Sequence, residues 1–273
     1  MNDTNQNYKI VWLSANKLGY ELLQESLSIG VTIDSIVTLD EDAKTVMYDG
    51  VSLDKWQEIG KKYGIRTYAV TNINNDFDKI SSINPDVVIM CGWRQMLDKK
   101  ILEWPKDGVV GFHPTLLPKG RGPAPIINSI LDENFNSTGL TMFYAEDGVD
   151  SGDIIGQQAF TIDRKKDYAQ DVYNKVIDAG RILIRNYLPA VIKKAAPRIK
   201  QDDSQATYFP KLSLKNNQID PSKESLEHAA LKVRALSKPY AGAYVIGSDG
   251  QEIKIWNVES LYQYYQEKNE ETA

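Results

Sequence analysis

The sequence predicts an α/β fold built around an open, twisted, mainly parallel β-sheet. Three observations support this prediction. Short apolar runs rich in β-branched residues alternate with segments of helical spacing, the most strand-like run (VVIMCG) follows Pro85, and glycines stand where predicted helices end. Strands that alternate with helices form parallel βαβ units. The chain has 273 residues, of which 42% are apolar, so it can bury a substantial core.

The elements of the first half follow from this alternation. Residues 8–14 (YKIVWLS) and 31–39 are predicted strands, and leucines on one side of residues 16–28 predict a helix that ends at Gly30. The remaining predicted elements, in order, are a helix over 53–63 ended by Gly64, a strand over 67–70, a weak helix over 76–83, the strand after Pro85, a short helix over 98–104 and a strand over 109–112.

The second half begins in the same style. Its predicted elements are a helix over 126–131, strands over 139–144 and 154–162, and a long helix over 168–188 that Pro189 stops. After Pro197 the composition changes, so we place a domain boundary near residue 200. The predicted domains are residues 1–200 and a small α+β domain over residues 201–273.

The smaller predicted domain contains a β-hairpin. Polar, irregular residues 201–223 precede a predicted helix over 224–236. Strands over 243–246 and 253–258 then flank a turn at Ser248-Asp249-Gly250. The charged tail from about Gln266 and the polar stretch before Tyr8 are expected to be disordered.

Composition excludes several classes of protein. The net charge is −5, which argues against a nucleic-acid partner, because phosphate binding requires a basic surface. A single cysteine, Cys91, permits neither an intramolecular disulfide nor a cysteine-based zinc site, and we expect no metal. No apolar run reaches the length of a membrane span, and the N-terminal residues lack a signal-peptide pattern. These observations predict a cytoplasmic protein.

His113 lies in the most informative stretch, GVVGFHPTLLPKGRGPAP at residues 108–125. It directly follows a predicted strand and precedes residues that form neither helix nor sheet. Ligands of open α/β sheets bind beyond the carboxyl ends of the strands, where residues 92–94 are also expected. The first strand is not followed by G-x-G-x-x-G, so a dinucleotide cofactor is not supported.

This stretch, followed by TGLTMFYAEDGVDSGDIIGQ, resembles the catalytic core of the folate-dependent formyltransferases. The match covers most of residues 8–200, and VRALSKPYAGAYV and IKIW resemble the C-terminal domain of that family. The resemblance implies a Rossmann-like core, 10-formyltetrahydrofolate as formyl donor and an amine as acceptor. It assigns acid–base catalysis to His113, with Asp150 as the carboxylate that orients the imidazole.

One departure from the family concerns Gly111. The family has an asparagine at this position, two residues before the histidine, which donates to the developing oxyanion. Loss of such a donor typically costs about 3 kcal/mol of transition-state stabilisation. The substitutes we consider are backbone N–H groups of residues 111–115, the Thr115 hydroxyl, a water molecule and protonated His113, and we favour His113 with a water. Gly111 is also compatible with a degenerate enzyme.

The resemblance implies further binding residues. The donor pocket is expected to be formed by Gln95, Met96, Leu97, Glu146, Asp147, Gly148, Val149 and Asp150. The acceptor is expected to contact Trp93, Arg94, Thr115, Lys119 and Arg121, with Arg121 or Lys119 holding an anionic group.

The acceptor itself stays open among several amines. The chain length, the acidic charge and the short C-terminal part resemble N-formyltransferases that act on nucleotide-linked amino sugars in surface polysaccharide biosynthesis. Methionyl-tRNA is the alternative, although that enzyme usually has a larger, basic C-terminal domain. Other small amines, such as glycinamide ribonucleotide or a peptide-bound amine, and a folate-binding pseudoenzyme are also considered. A homodimer through the C-terminal hairpin is a further expectation from the resemblance.

Overall fold

The computed structural model describes residues 8–45, 48–247 and 249–271. Within these ranges it confirms the predicted α/β fold, with one large sheet and a small separate hairpin. The expectation for the first seven residues and the predicted turn residue Ser248 lie outside the described residues.

The main sheet comprises β1 (Ile10–Leu13), β2 (Ser35–Leu39), β3 (Arg66–Val70), β4 (Val87–Met90), β5 (Val109–His113), β6 (Gly139–Ala145) and β7 (Ile154–Ala159). The hairpin comprises β8 (Ala243–Ile246) and β9 (Glu252–Ile255). The helices are α1 (Lys17–Ser28), α2 (Leu53–Tyr63), α3 (Lys99–Leu102), α4 (Pro125–Leu131), α5 (Ala169–Ile192), α6 (Leu226–Leu236) and α7 (Val258–Glu271).

The strand order of the main sheet is β3-β2-β1-β4-β5-β6-β7. Strands β1 to β5 are mutually parallel, and β6 and β7 are antiparallel to their neighbours. The order reverses between β1 and β4, which creates a crevice at the carboxyl ends of these strands. In the next pair, Met90 of β4 lies opposite Gly111 of β5, so His113 ends its strand beside this crevice.

Both faces of the sheet are covered, which explains why the central strands are apolar throughout. Trp12 and Ile89 belong to the core on one face, together with buried residues of α1, α4, α5 and the C-terminal elements. Leu13 and Val109 belong to the core on the other face, under short elements that follow β3 and β4. Because side chains alternate along β5, His113 and Gly111 share the face of Val109.

Helix α5 does not end where the sequence predicts. It continues through Pro189 to Ile192, and Leu188 and Val191 are buried on its inner side. Proline removes one helical hydrogen bond, but the carbonyl of Pro189 still accepts one from Lys193 N at 3.2 Å. Burial of the last turn therefore outweighs the local preference of proline.

Three other expectations also need correction. The predicted helix over 76–83 forms two short 3-10 turns, Phe77–Lys79 and Ser81–Ile83. The predicted strand over 154–162 ends at Ala159. The tail from Gln266 is helical to Glu271 rather than disordered, because α7 is anchored by buried Val258 and Leu261.

The C-terminal elements share the core of the larger part of the chain. Helix α6 packs against α4, and buried residues of α6, β8, β9 and α7 join the apolar cluster around Trp12. Two hydrogen bonds reinforce this contact, from Ala169 N to Ser237 Oγ and from Val258 N to the Tyr168 hydroxyl. Among the described residues, no helix has the length and apolar character needed to cross a membrane.

Candidate active site

His113 closes β5 with a buried imidazole ring that is 6% exposed. Its Nε2 atom lies 2.7 Å from the carbonyl oxygen of Gly120. A carbonyl oxygen can only accept, so Nε2 donates and carries a proton in this arrangement. Its Nδ1 atom lies 3.4 Å from Oδ2 of Asp150. The two residues that the sequence predicts as catalytic are therefore neighbours.

Asp150 lies on the loop between β6 and β7 in a left-handed backbone conformation, with φ of 50°. Its Oδ2 also accepts a hydrogen bond from Gly122 N at 2.9 Å. The Asp150 side chain is 24% exposed, against 7% for the His113 side chain. The pair therefore opens to solvent, and to any substrate, on the Asp150 side.

Gly152 allows the Asp150 loop to approach the sheet closely. A Cβ atom at Gly152 would lie 1.8 Å from the carbonyl oxygen of Tyr144, a distance that no side chain tolerates. Only glycine therefore fits two residues after Asp150.

Gly111 faces an apolar environment. A Cβ atom there would lie 3.0 Å from Cε1 of Phe143 and 3.4 Å from Cε of Met90. Phe143 is buried and lies directly opposite Gly111 in the β5–β6 ladder. The aromatic ring thus takes up the space into which a side chain at residue 111 would extend.

The segments expected to bind the donor flank this face of the sheet. Leu97, expected at the donor, packs against the apolar cluster that contains Val109, and so does Ala145, the residue before Glu146. Trp93, expected at the acceptor, packs against the same cluster. Met96 is 77% exposed and Val149 is 48% exposed, so both apolar side chains are accessible to a ligand. Glu146, Asp147 and Gly148 are exposed loop residues whose side chains or backbone reach solvent.

Gln95 differs from this expectation because its amide is used inside the protein. Its Oε1 accepts a hydrogen bond from Ile73 N, and its Nε2 donates to Thr45 Oγ1 and to the carbonyl oxygen of Thr71. Gln95 therefore holds the loop after β3 against the end of β4.

Arg121 does not fit the expected role of anion clamp. Its side chain is 2% exposed. Its Nε and Nη2 atoms donate to Gln201 Oε1, Nη2 also donates to Asp203 Oδ1 at 2.7 Å, and Nη1 donates to the Tyr208 hydroxyl. Burial acts to lower the pKa of Arg121, but the hydrogen bonds to Asp203 and Tyr208 outweigh it and raise the pKa. The guanidinium group is thus a buried structural cation.

Thr115 and Lys119 occupy different environments. Thr115 is fully buried, its hydroxyl has no hydrogen-bond partner among the described residues, and its backbone N–H donates to the His113 carbonyl oxygen. Neither group of Thr115 is therefore placed to replace the missing asparagine. Lys119 is exposed and can reach a ligand.

A polar cluster that the sequence did not reveal lies at the crevice between β1 and β4. Asp49 is buried, and its Oδ2 accepts hydrogen bonds from Asn16 Nδ2 at 2.8 Å and from the Tyr173 hydroxyl at 2.6 Å. Its Oδ1 lies 3.5 Å from Nη2 of Arg94, whose side chain is 38% exposed. Burial, followed by the nearby charge of Asp49, raises the pKa of both Tyr173 and Tyr240. These five residues come from five distant parts of the chain, so no local sequence motif predicts the cluster.

Sequence comparison places the chain among known enzymes. A family model described as formyl transferase matches residues 56–188. Methionyl-tRNA formyltransferase from Halalkalibacterium halodurans is 30% identical over 255 residues, covering 93% of this chain and 78% of that protein. The enzyme of the same name from Halothermothrix orenii is 32% identical over 234 residues, covering 85% of this chain and 72% of that protein.

Structural comparison gives the same fold. A 4-N formyltransferase from Francisella tularensis aligns with a TM-score of 0.73 and 20% identity, covering 91% of this chain and 96% of that one. An N-formyltransferase from Helicobacter canadensis, solved with folinic acid and dTDP-3-aminofucose, aligns with a TM-score of 0.65 and 19% identity, covering 84% of this chain and 80% of that one. The sequence identity to the two methionyl-tRNA formyltransferases extends over more than two thirds of their length, and this chain belongs to the formyltransferase family.

Proposed function

We propose that the protein transfers a formyl group from 10-formyltetrahydrofolate to the amine of a nucleotide-linked amino sugar, as a step in surface polysaccharide biosynthesis. The observation that best supports this reaction is the pairing of His113 Nδ1 with Asp150 Oδ2, which lie 3.4 Å apart at the end of β5. The donor supplies a formyl carbon that the amine attacks. The amine then has to lose a proton and the leaving folate nitrogen has to gain one.

The His113–Asp150 pair can move both protons. Nε2 of His113 is engaged with the Gly120 carbonyl oxygen, so the exchangeable site is the one that Nδ1 shares with the Asp150 carboxylate. Asp150 is the more exposed partner and would receive the proton of the amine. The same pair would return a proton to the folate nitrogen, so that the proton taken from the amine leaves with tetrahydrofolate.

The donor is proposed to bind at residues 95–97 and 146–150. Exposed Met96 and Val149 supply apolar walls, and the exposed loop offers backbone groups to the polar edge of a pterin. Gly111, beside Phe143, offers no side-chain donor to the developing oxyanion. We propose that protonated His113 and a water molecule balance the oxyanion charge instead. Because this arrangement lacks the asparagine donor, we expect slower turnover than in an enzyme that has it.

The acceptor proposal is supported by charge and by structural relatives. The chain carries a net charge of −5, which disfavours tRNA. Arg94, anchored to the buried Asp49, offers a cation for the phosphates of a sugar nucleotide at the same edge of the sheet, and Lys119 is a second. Similar solved structures include one with a bound dTDP-linked amino sugar.

A second candidate is the formylation of methionyl-tRNA, because the relatives with the stated sequence identities carry that name. An assay that compares the two kinds of acceptor decides between the two candidate functions. Purified protein with 10-formyltetrahydrofolate is offered UDP-, dTDP- and GDP-linked amino sugars and, separately, methionyl-tRNA, and the release of tetrahydrofolate and the product mass are measured. Turnover of one amino sugar is the expected result.

The His113→Ala variant provides the mechanistic control in this assay. We expect it to fold and to lose roughly 10²- to 10⁴-fold in kcat, which is the typical contribution of acid–base catalysis. His228→Ala is the matched control, because His228 lies at a half-exposed position on α6. Turnover on methionyl-tRNA alone would reverse the acceptor ranking, and donor binding without any turnover would favour a pseudoenzyme.

A further inference from the structure

The chain returns to the active site after α5, in a segment that lies beyond the matched family region. Residues 199–209, here called the return segment, begin with Ile199, which pairs with Ile154 through two backbone hydrogen bonds of 2.8 and 3.0 Å. The segment ends with Phe209, whose N–H donates to the Arg121 carbonyl oxygen at 2.8 Å. It therefore touches both loops that carry the catalytic pair.

Gln201 joins those two loops through its side-chain amide. Its Nε2 donates to the carbonyl oxygen of Asp150 at 2.8 Å and to that of Gly152 at 2.7 Å. Its Oε1 accepts from Nε and Nη2 of Arg121, at 3.1 and 2.8 Å. Both hydrogens of the Gln201 NH₂ group are thus donated to the Asp150 loop, and the amide oxygen accepts from Arg121.

The backbone of Asp150 needs such a restraint. Its φ of 50° lies in the left-handed region, which is unfavourable for a residue other than glycine and persists only where the surroundings enforce it. The donation from Gln201 fixes the carbonyl of this residue, while Gly122 N fixes its carboxylate. The direction in which Asp150 presents its carboxylate to His113 therefore depends on Gln201.

Arg121 holds Gln201 in place. The buried guanidinium has a planar set of donors, and two of them donate to Oε1 of Gln201. The cation is compensated by Asp203, a residue of the same return segment. The hydrogen bonds of the Arg121 guanidinium are therefore made to the return segment, and we assign this group no substrate anion.

The return segment also reaches His113. Thr207 Oγ1 accepts a hydrogen bond from Gly120 N at 2.9 Å, and the carbonyl oxygen of Gly120 accepts from His113 Nε2. The segment thus orients both partners of the pair, one through Gln201 and the other through Thr207.

We propose that Gln201, held by Arg121, is a positioning residue of the formyl transfer, which acts by fixing the left-handed Asp150 against His113. The inference rests on the proposed catalytic role of Asp150. It assigns a function to a residue outside the region that resembles the family's catalytic motif.

A double-mutant cycle tests this inference in the acceptor assay. Gln201→Leu removes all four hydrogen bonds, and Gln201→Glu keeps an acceptor for Arg121 but removes the two donors to residues 150 and 152. For each variant we expect kcat to fall about 10- to 100-fold with much smaller changes in KM. In an Asp150→Asn background the same substitutions are expected to have little further effect, because Gln201 acts through Asp150. Losses that multiply in the double variant would overturn the proposal.

The control is Gln205→Leu, the same chemical change in the same segment. Gln205 is exposed, and its side chain makes no hydrogen bond within the described part of the chain. We expect Gln205→Leu to retain wild-type kcat. A Gln201→Leu variant that also retains wild-type kcat would refute the positioning role.

A second readout does not require any acceptor, so it separates this inference from the proposed function. The chain has only two histidines, and a His228→Gln variant identifies the imidazole signals of His113 by NMR. We expect Gln201→Glu to shift the nitrogen resonances of His113, and Gln205→Leu to leave them in place. Unchanged His113 resonances in a folded Gln201→Glu variant would contradict the inference even if no acceptor is turned over.

Discussion

At the scale of single residues, Gly111 leaves the space beside β5 that the Phe143 ring occupies. The ring of Phe143 lies 3.0 Å from the point where a Cβ atom would stand, so even alanine requires the ring to shift. Overpacking of this kind costs typically 1–3 kcal/mol. An asparagine at residue 111 would extend further into the same space, between Phe143 and Met90. Glycine at residue 111, where the resemblance implies asparagine, is therefore the residue that leaves room for Phe143 on the neighbouring strand.

We expect Gly111→Ala to lower the free energy of unfolding by roughly 1–3 kcal/mol, measured by urea denaturation. In a Phe143→Leu background, where the smaller side chain leaves room, the same substitution should cost less than half as much. Gly250→Ala is a separate reference for a glycine with nothing within 4 Å, although its positive φ adds a backbone cost of its own. An equal cost of Gly111→Ala in both backgrounds would contradict the coupling.

The sequence predicted that His113 and Asp150 act together, but it did not predict the residues that hold them. The motif around His113 and the loop around Asp150 are local patterns, and the fold brings the two side chains within 3.4 Å. Arg121 is also part of the motif, yet its partners Gln201 and Tyr208 lie about 80 residues away along the chain, at sequence separations of 80 and 87. A charge in a motif does not reveal whether it faces a ligand or a distant segment of its own chain, because that depends on tertiary packing.

At the scale of elements, the loop after β3 depends on one carboxylate. Oδ2 of Asp76 accepts hydrogen bonds from Thr71 N at 2.7 Å, from Thr71 Oγ1 at 3.0 Å and from Asn72 N at 3.2 Å. The hydrogen bond with Lys79, followed by the backbone donors, lowers the pKa of Asp76 well below its ordinary value of 3.8. The folded state therefore prefers the ionised carboxylate, so Asp76 stabilises the protein above about pH 4, and this contribution is lost as the pH falls toward the folded-state pKa.

We expect Asp76→Asn to lower the free energy of unfolding by roughly 1–2 kcal/mol at pH 7, because an amide replaces a charged acceptor. The difference from wild type should shrink as the pH is lowered below 4, because the Asp76 carboxylate takes up a proton there in the unfolded chain but stays ionised in the folded one. Asp78→Asn, at an exposed position two residues on, is the matched control and should leave stability nearly unchanged. A difference that stays constant from pH 7 to pH 2 would show that the charge of Asp76 has no part in stability.

Elements with a strong apolar pattern were predicted well, and those shaped by packing were not. The strands β1, β2, β4 and β5 follow directly from their β-branched runs, and Gly64 ends α2 in the left-handed conformation that the pattern implies. Helix α7 was missed because its apolar positions, Val258 and Leu261, are sparse among charged residues. Only their burial against the rest of the protein makes that helix stable.

At the scale of the whole molecule, the boundary that the sequence predicts near residue 200 does not separate two cores. Buried residues of α6 and α7 belong to the same apolar cluster as Trp12 and the inner side of α5. The polar contacts cross the boundary as well, since the buried guanidinium of Arg121 donates its hydrogen bonds within the described residues to Gln201, Asp203 and Tyr208. A chain that ended at residue 200 would lose these partners of Arg121 together with the segment that covers its side chain.

We therefore expect the full chain to unfold as one cooperative unit. In urea titrations with pulse-labelling hydrogen exchange, amides of α6 and amides of β1 should lose protection at the same urea concentration. A chain truncated after residue 200 should lack the protection of β1 in the absence of urea, since α4 would lose the packing of α6 as well as the partners of Arg121. Loss of protection in α6 at a clearly lower urea concentration than in β1 would contradict this expectation and would make residue 200 a true boundary between folding units. The active site would then be assembled from two independently folding parts, because Gln201 and Thr207 on one side hold Asp150 and His113 on the other.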